Sequence, residues 1–599
     1  GATTVDPIQY NLYFEPFLNY KRQDLPDVDL DIDSERREQL LDYVKDKYDA
    51  TPIANYSTYR HKSLIVDLKK QFKLPDKLVE KASEYGNDSE EFYQLCEMDY
   101  GFKQTYDALI GQHRHLGKHA GGVVINEEGF PLPLIHTTSG GAVVSWTEGT
   151  YRELSKVGLV KFDILGLSGG ALIRRLKEKL GVEVPKPKDN HEIFSMFQEG
   201  DTAGIHQFKT DLNRPLLRSI KPTRFSELVA INALCRPGTP QEARENFAHY
   251  KQTNTRRYLH SDIDDVLTET FGAIVFQEQF MKIIAFVIDG EMADADLARK
   301  VLTKASPDNP SWVKKFNDLK ELFYNGATKK GWSEHDIDKV WSEIQLHSGY
   351  SFNKSHAVAY TLNAWEMAWF KYYHRTDFYT ESLNVEKDSQ STVELLLINA
   401  VIDGIEIRFP DINKSTNEYT CDSENGIIYL PLTSIKYVSD SSYNKLITKR
   451  PFRSLEHYME VVPKSYVKSR GREGFLQLGV FDSILNEETK EELCETLGLK
   501  ELEEMNVVQK QNKYMGFVLP TKNLVEAMEE AKDLNVTVGI IDKTEMRENS
   551  WGKYQVCWMK PEGVFTHSFY KVFEKGYLVG VKYKKEGSVN IEGYYDIEY

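Results

Sequence analysis

The sequence predicts a multidomain protein of the α+β class. With 599 residues the chain is too long for one hydrophobic core, and about three to five domains are expected. Residues 27–33 alternate between acidic and apolar side chains, which is the period of a β-strand. The pattern from about residue 60 to 112 is mostly helical, and five short alternating segments between 536 and 594 predict a β-rich C-terminal domain.

Composition narrows the class of protein. Hydrophobic residues make up 41% of the chain and charged residues 28%, as in soluble globular proteins. No apolar run approaches the roughly 18 residues of a membrane helix, and no signal peptide opens the chain. The five cysteines form no CxxC pair, which predicts no disulfide framework, no zinc site and a reducing compartment. The net charge of −16 argues against a protein that simply coats nucleic acid, but it allows local basic surfaces.

The chain begins at Gly1-Ala2-Thr3 without an initiator Met. We therefore expect a processed product or a piece of a longer chain.

The acidic segment 27–33 reads Asp-Val-Asp-Leu-Asp-Ile-Asp. As a strand, it would turn Val28, Leu30 and Ile32 toward a core and place four carboxylates on the opposite face, about 7 Å apart along the strand. Such a face is tolerable beside water, basic groups or divalent cations, and Mg²⁺ sites commonly use one or two carboxylates plus substrate phosphates. A solvated edge strand that carries charges against aggregation is equally consistent with these residues.

Two further segments carry chemistry. A basic segment contains His113, Arg114, His115, Lys118 and His119 and leads into Gly121-Gly122. Zinc binding by the histidines is less favoured than a Gly-Gly turn entering a buried strand, with the cationic side chains facing a polyanion. In the segment 159–167, Lys161 and Asp163 would share one face of a strand, as a structural salt bridge or as a cation beside a metal-binding carboxylate.

Several segments, in order along the chain, resemble motifs of the bacterial replicative DNA polymerase III α subunit, the C family of DNA polymerases. Those similar to its palm motifs are 14–19 (Phe-Glu-Pro-Phe-Leu-Asn), 26–33, 119–125 and 159–167. Those similar to its fingers motifs are 233–238 (Ala-Leu-Cys-Arg-Pro-Gly), 272–281, 294–304 and 349–357 (Gly-Tyr-Ser-Phe-Asn-Lys-Ser-His-Ala). Residues 410–415 (Pro-Asp-Ile-Asn-Lys-Ser) resemble a further element of the family. The series covers nearly the whole chain.

The resemblance implies a nucleotidyltransferase-like palm with a thumb insertion, mainly helical fingers, a helix-hairpin-helix region and a C-terminal OB-like β-barrel. The implied domains are the palm at 1–59 and 113–169, the thumb at 60–112, the fingers at 170–400, the helix-hairpin-helix region at 401–500 and the OB-fold-like domain at 513–599.

The implied activity is DNA-templated DNA synthesis, in which two Mg²⁺ ions assist transfer of a nucleotide from a dNTP to a primer 3′-hydroxyl. Asp29, Asp31 and Asp163 match the catalytic, metal-binding aspartates, and three acids from two neighbouring strands suit two ions about 3.5–4 Å apart. Asp27 and Asp33 are expected beside the metal site or at the surface.

Basic and polar residues are implied to hold the nucleotide, because phosphoryl transfer depends on positioning and charge stabilisation. The residues matched to nucleotide binding are Lys161, Arg236, Arg299, Lys300, Lys304, Asn353, Lys354, Ser355 and His356. A solvated helix face is the alternative for Arg299, Lys300 and Lys304, and a structural hydrogen bond is the alternative for His356. Gln277 and Glu278 are expected at the edge of the site or in a structural role.

The residues expected to bind DNA are Arg114, Lys118, His119, Lys445, Lys449, Arg450, Lys464, Lys468 and Arg470. Eight Lys/Arg and two Glu between Lys445 and Arg472 give this stretch a net charge of +6, as expected for phosphate binding. The first hairpin departs from the family because residues 435–440 contain no glycine, so its phosphate contacts are in doubt.

Two C-terminal features allow two interpretations each. Trp551, Tyr554, Trp558 and Tyr570 are candidates for stacking on single-stranded nucleic acid or for the barrel core. Residues 477–481 (Gln-Leu-Gly-Val-Phe) resemble a sliding-clamp-binding peptide, but in the family register they fall on the helix that closes the helix-hairpin-helix region.

The implied partners are primer–template DNA, dNTPs and an N-terminal polymerase portion, since family members carry a phosphoesterase-like domain and a Gly-Ser-rich palm element before the point where this chain starts. A sliding clamp is a further candidate, no membrane is expected, and the implied location is the cytoplasm of a bacterium, virus-infected or not. A non-catalytic DNA-binding subunit and a metal-dependent nuclease are the competing functions.

Overall fold

The structure is a computed structural model that divides into two compact units, Phe17–Gly170 and Gly1–Pro16 with Ala171–Tyr599. It describes residues 5–21, 28–126, 129–137, 141–144, 154, 156, 158–187, 191–210, 212–236, 238–304, 310–486, 489–500, 502, 504–505, 507–519, 537–549, 552–560, 564–567, 578–583 and 591–596. Residues 5–16 group with the second unit, and the implied domain boundaries stay predictions.

The unit Phe17–Gly170 is built on a six-stranded mixed sheet of order β1-β6-β3-β2-β5-β4. Its strands are β1 Val28–Asp33, β2 Thr51–Thr58, β3 His113–Val124, β4 Leu134–His136, β5 Ala142–Val144 and β6 Lys161–Leu167. Helix α1, Arg37–Tyr48, follows β1 and packs Leu40, Leu41 and Val44 against the apolar cluster of this sheet.

Four helices are inserted between β2 and β3, as the helical spacing of residues 60–112 predicted. They are α2 His61–Gln71, α3 Asp76–Tyr85, α4 Glu90–Met98 and α5 Tyr100–Leu109. They share a core of their own around Leu64, Phe92 and Phe102. Ser89 and Asp99 accept backbone N–H groups at the starts of α4 and α5, which fixes where these helices begin.

The second unit is mostly helical from residue 171 to residue 402. Its helices are α6 Ser168–Leu180, α7 His191–Glu199, α8 Asn213–Ile220, α9 Phe225–Leu234, α10 Gln241–Gln252, α11 Asp264–Leu267, α12 Gln277–Val287, α13 Met292–Lys304, α14 Pro310–Lys329, α15 Glu334–Ser348, α16 Lys354–Tyr373, α17 Arg375–Val385 and α18 Gln390–Ile402. Short 3₁₀ turns cover Ser261–Ile263 and Thr268–Thr270.

A small sheet and a helical region follow. The sheet consists of β7 Glu406–Arg408, β8 Thr420–Asp422 and β9 Ile427–Tyr429. The helices are α19 Asp440–Ile447, α20 Leu455–Val461, α21 Ser469–Gln477, α22 Lys490–Leu497 and α23 Val507–Tyr514, with 3₁₀ turns at Leu432–Ser434 and Asp482–Ile484. Within the described ranges, no helix combines the length and the apolar character needed to cross a bilayer.

The C-terminal segment forms a five-stranded antiparallel sheet of order β12-β11-β10-β13-β14. The strands are β10 Thr537–Asn549, β11 Gly552–Lys560, β12 Val564–His567, β13 Leu578–Tyr583 and β14 Ile591–Asp596. The five strands were predicted, but no ladder joins the edge strands β12 and β14 among the residues described here, so the OB-like barrel stays a prediction. Trp551 and Tyr570 lie outside the described residues, and Tyr554 and Trp558 lie on β11.

A cluster of charged side chains around the buried Lys371 ties helices α16 and α17 to the segment after α7 and to the segment after α18. The side chain of Lys371 is fully buried, pairs with Asp201 and lies 3.7 Å from Asp403. Arg375 contacts the same two carboxylates, at 3.1 and 3.3 Å, and the Tyr379 hydroxyl donates to Asp403 at 2.6 Å. Burial lowers the pKa of Lys371 and raises the pKa of Asp403, so these charges depend on each other.

We expect Lys371→Met to lower the free energy of unfolding by about 3 kcal/mol, because removing one partner leaves buried carboxylate charge undercompensated. The measurement is the midpoint of urea unfolding. Lys314→Met, at an exposed position of α14, is the matched control. A loss no larger than that of the control would contradict a stabilising role for the cluster.

Candidate active site

The predicted acidic strand is present, and it pairs in parallel with β6. The register places Asp29 beside Asp163 and Leu30 beside Ile164. Register partners on adjacent strands point to the same face, with strands about 4.8 Å apart, so the carboxylates of Asp29 and Asp163 lie on one face and that of Asp31 lies two residues along. Asp29 and Asp31 are exposed, as the alternation predicted.

The opposite face of these strands explains why the register holds. Ile32 and Phe162 pack against a small core that contains Ala50, Val123 and Ile164. A slip by one residue would turn these apolar side chains to the acidic face. The flanking acids differ: Asp33 accepts the N–H of Glu35 at 2.8 Å in the turn after β1, and Asp27 lies outside the described residues.

The Gly-Gly pair lies on β3, the neighbour of β6 on its other side. Gly122 is the register partner of Asp163. A Cβ on Gly121 would overlap the carbonyl oxygen of Ile164, and a Cβ on Gly122 would lie 2.5 Å from Ile53 Cδ1. Gly121 is required because the backbone of β6 lies too close for a side chain, whereas at Gly122 a Cβ would displace the side chains of Ile53 and His119.

His119, Gly121 and Gly122 all lie within β3, where the sequence predicted a turn before a strand, and His119 binds the backbone of the glycine pair. Its Nδ1 accepts the backbone N–H groups of Gly121 and Gly122, at 3.2 and 2.6 Å, which places any ring proton of the neutral imidazole on Nε2. Nδ1 also lies 3.9 Å from Asp163 Oδ1. His119 therefore acts on the backbone of β3 here, whatever its role toward DNA.

Asp163 is held asymmetrically. Lys161 Nζ lies 2.8 Å from Oδ2, with side-chain exposures of 18% for Lys161 and 13% for Asp163. Oδ1 is buried and has no hydrogen-bond partner. The salt bridge considered from the sequence is thus formed, and it leaves one carboxylate oxygen unsatisfied.

The donor set fits Mg²⁺, because hard cations prefer carboxylate oxygens and the buried Oδ1 of Asp163 lacks a partner. Nonetheless, the described residues contain no group of three or more His, Cys, Asp or Glu side chains placed to hold a metal ion. The assignment of Asp29, Asp31 and Asp163 as metal ligands therefore stays a prediction.

The residues matched to nucleotide binding, apart from Lys161, lie in the second unit, where the largely buried Lys354 forms an ion pair with the partly exposed Glu269. Its Nζ lies 2.8 Å from both oxygens of Glu269, and its backbone N–H donates to Glu278 at 3.0 Å. Burial raises the pKa of Glu278 despite this bond. The pair lines a cavity of about 210 Å³ together with Tyr10 and Phe225.

Arg236 and His356 are exposed and lie around one aromatic ring. The Arg236 guanidinium lies 3.8 Å from the ring centroid of Phe352. The rings of Phe352 and His356 meet edge to face with their centroids 5.0 Å apart, and His356 stacks on Tyr360 with a centroid distance of 4.4 Å. Asn353 caps α16 by accepting the N–H of His356 at 3.0 Å, and the Ser355 hydroxyl donates to the same oxygen. Asn353 and Ser355 thus stabilise the start of the helix.

Helix α13 uses its basic residues internally. Arg299 donates to Asp296 at 2.9 Å, and Lys300 lies 3.9 Å from the same buried carboxylate. Lys304 is the last residue of α13, and its side chain lies outside the described residues. Gln277 donates to the Ser351 carbonyl at 3.2 Å, which matches the structural alternative.

Among the residues expected to bind DNA, Arg114 forms a bidentate pair with Asp67 at 2.7 and 2.8 Å, whereas Lys118 is exposed on β3. In the helix-hairpin-helix region, Lys445, Lys449, Lys464, Lys468 and Arg470 are exposed. Arg450 turns inward: its Nη2 donates to the Ser415 carbonyl at 2.8 Å, and burial lowers its pKa.

The first hairpin has no glycine, and a residue of another type adopts the left-handed backbone conformation there. Tyr437 adopts φ +71°, the left-handed conformation that glycine would favour. Its ring is exposed, and the Arg470 guanidinium lies 5.6 Å from the ring centroid. In the clamp-like peptide 477–481, Val480 and Phe481 are fully buried, which agrees with the preference against a docking motif there.

Sequence reasoning missed Phe352, Glu269 and Asp67, the partners that orient Arg236, Lys354 and Arg114. Only Phe352 could have been found from local sequence, because it lies in the segment 349–357 that resembles a fingers motif. Glu269 and Asp67 are 85 and 47 residues from their partners and belong to no recognised motif.

Three family models match the chain. The bacterial DNA polymerase III alpha NTPase domain matches residues 1–166, the bacterial DNA polymerase III alpha subunit finger domain matches residues 173–331, and a helix-hairpin-helix motif matches residues 404–493.

Curated relatives carry one name, DNA polymerase III subunit alpha. That of Halalkalibacterium halodurans is 32% identical over 512 residues, covering 80% of this chain and 45% of the relative. That of Aquifex aeolicus is 29% identical with the same coverage, and that of Staphylococcus aureus is 27% identical over 89% of this chain and 51% of the relative. The chain thus spans about half the length of these relatives.

We expect Gly121→Ala to destabilise the unit Phe17–Gly170 by about 1–3 kcal/mol, because the new Cβ would force β3 away from β6. The measurement is thermal unfolding followed by near-UV circular dichroism. Gly117→Ala on the same strand is the matched control, since its Cβ would lie 3.9 Å from the nearest atom. Equal melting temperatures for the two variants would contradict the close approach.

Proposed function

We propose that this chain forms the catalytic part of a DNA-directed DNA polymerase, because it belongs to the family of bacterial DNA polymerase III alpha subunits. The reaction is transfer of a nucleotide from a dNTP to a primer 3′-hydroxyl on a DNA template. The observation that supports it most directly is the register that sets Asp29 beside Asp163, with Asp31 on the same face.

In this proposal Asp29, Asp31 and Asp163 hold two Mg²⁺ ions. The ions would activate the primer hydroxyl and stabilise charge on the leaving pyrophosphate. The protein's own contribution is positional. Strand pairing fixes β1 against β6, Gly121 lets β3 lie close to β6, and His119 accepts the backbone N–H groups of Gly121 and Gly122. Lys161, on the face of Asp163, supplies a cation for nucleotide phosphate.

In the second unit, Arg236 is the residue best suited to bind nucleotide phosphate. It is exposed, and a guanidinium that stacks on Phe352 keeps the edges of its fork available for oxygen acceptors. Lys354, Arg299 and Lys300 contribute in this proposal only after exchanging their carboxylate partners for phosphate, which makes them weaker candidates.

Primer–template DNA is the proposed macromolecular partner, and the helix-hairpin-helix region is the proposed duplex contact. Its exposed side chains include Lys464, Lys468 and Arg470, the last two at the start of α21. The N-terminus of a helix presents unpaired N–H groups, which favour a phosphate beside these cations.

We expect Asp29→Ala, Asp31→Ala and Asp163→Ala each to reduce primer extension roughly thousandfold, because each removes charge that holds the ions. Extension is measured with Mg²⁺ and dNTPs, both for the chain alone and with the N-terminal portion implied by the family. Binding of the primer–template, measured by fluorescence anisotropy, should stay close to wild type.

Asp42→Ala is the matched control, since it removes an exposed acid from α1 of the same unit. Normal extension by one of the three variants would refute that residue's assignment. DNA binding without any extension by the unsubstituted protein would instead favour a non-catalytic subunit, and shortening of the primer would favour a nuclease.

The triple variant Lys464→Ala, Lys468→Ala and Arg470→Ala tests the duplex contact. We expect weaker binding of duplex DNA, and a slope of log affinity against log salt that falls by roughly 0.9 for each phosphate that the variant no longer neutralises. Lys314→Ala, Lys315→Ala and Lys320→Ala remove the same charge from exposed α14. Indistinguishable salt slopes for the two triple variants would contradict the assignment.

A further inference from the structure

The environment of Asp163 suggests more than a passive ligand. Lys161 Nζ and Asp163 Oδ2 are 2.8 Å apart, with less than a fifth of either side chain exposed. Both residues lie on β6, two positions apart and on one face, so the pairing needs no rearrangement of the strand. A shielded pair of this kind is weakly screened by solvent and holds more strongly than a surface salt bridge.

The other oxygen of Asp163 has no comparable partner. Oδ1 is buried without a hydrogen bond, and His119 Nδ1, 3.9 Å away, already accepts two backbone N–H groups. His119 in this tautomer therefore offers Oδ1 no proton. A buried acceptor left unsatisfied is unfavourable, and the carboxylate of Asp29 beside it adds negative charge.

We propose that Lys161 is the resident counter-ion of Asp163 and must release this carboxylate when a divalent cation binds. The inference rests on the proposed function, which makes Asp163 a cation ligand. An ammonium and a divalent cation repel each other and draw on the same negative charge, so the two compete for Asp163. In the absence of nucleotide, Lys161 then weakens cation binding instead of assisting it.

The counter-ion role and a role in phosphate binding alone differ in the effect that loss of the Lys161 charge has on cation affinity in the absence of nucleotide. If Lys161 only contacted nucleotide phosphate, removing its charge would leave nucleotide-free cation binding at Asp163 as it was. If Lys161 occupies Asp163, removing the ammonium frees the carboxylate, and cation affinity rises. Cation affinity without nucleotide therefore separates the two roles.

The test measures binding of Mn²⁺ alone by electron paramagnetic resonance, with the 599-residue chain and no nucleotide or DNA. Lys161→Met should bind Mn²⁺ roughly ten- to a hundredfold more tightly than wild type, the range expected for loss of a charge-assisted hydrogen bond. Adding Asp163→Asn to Lys161→Met should remove the gain. Lys161→Arg keeps the cation and should bind Mn²⁺ as weakly as wild type.

Lys45→Met on α1 is the matched control, because it removes one exposed positive charge from the same unit. Near-UV circular dichroism verifies folding, and the Arg variant covers the case in which Met disturbs the strand. Equal Mn²⁺ affinity of Lys161→Met and Lys45→Met overturns the inference, as does a gain that survives Asp163→Asn.

Failure of the counter-ion role and failure of the proposed polymerase function give different results. Primer extension that depends on Asp163, with no gain in Mn²⁺ affinity for Lys161→Met, keeps the polymerase and removes the counter-ion role. A gain that depends on Asp163, without primer extension, keeps the counter-ion role and removes the polymerase.

Discussion

The candidate site depends on the parallel pairing of β1 with β6. That single register decides that Asp29 and Asp163 share a face, and it decides at the same time that Leu30 and Ile164 share the other. The carboxylates on the acidic face repel each other, so they do not stabilise this register. The apolar face stabilises it, because Ile32, Phe162 and Ile164 pack with Val123 and Ala50 in one small core. Hydrophobic packing on one side of the sheet therefore offsets the electrostatic repulsion on the other.

Across the rest of the chain, cations are distributed between two tasks. Many are held by acids: Lys371 by Asp201, Lys354 by Glu269 and Arg114 by Asp67. Such pairs fix helices and strands but offer little to an incoming phosphate. Other cations are exposed, among them Arg236 beside Phe352 in the fingers-like helices and a basic group at the start of α21. A protein of net charge −16 can therefore still present local basic surfaces, because some of its cations are paired with acids and others are exposed.

Local pattern was enough to predict the elements that carry the site. The alternation in 27–33 predicted the strand β1, and the spacing of Lys161 and Asp163 predicted that they share a face. The five C-terminal strands were predicted near their observed positions. Local pattern could not predict which cations were already paired, because their partners lie far away in sequence. It also could not predict that Tyr437 would take a conformation suited to glycine, since the requirement comes from the surrounding fold.

A counter-ion that must leave Asp163 would couple the two ligands of the proposed reaction. Lys161 released into solvent loses its partner, whereas Lys161 released toward a triphosphate gains another, so nucleotide would make cation binding more favourable. Linkage is reciprocal, and bound cation would strengthen nucleotide binding by the same factor. Such coupling discourages occupation of Asp163 by a cation before substrate arrives. It follows from two side chains two residues apart on one strand, and it requires no domain motion.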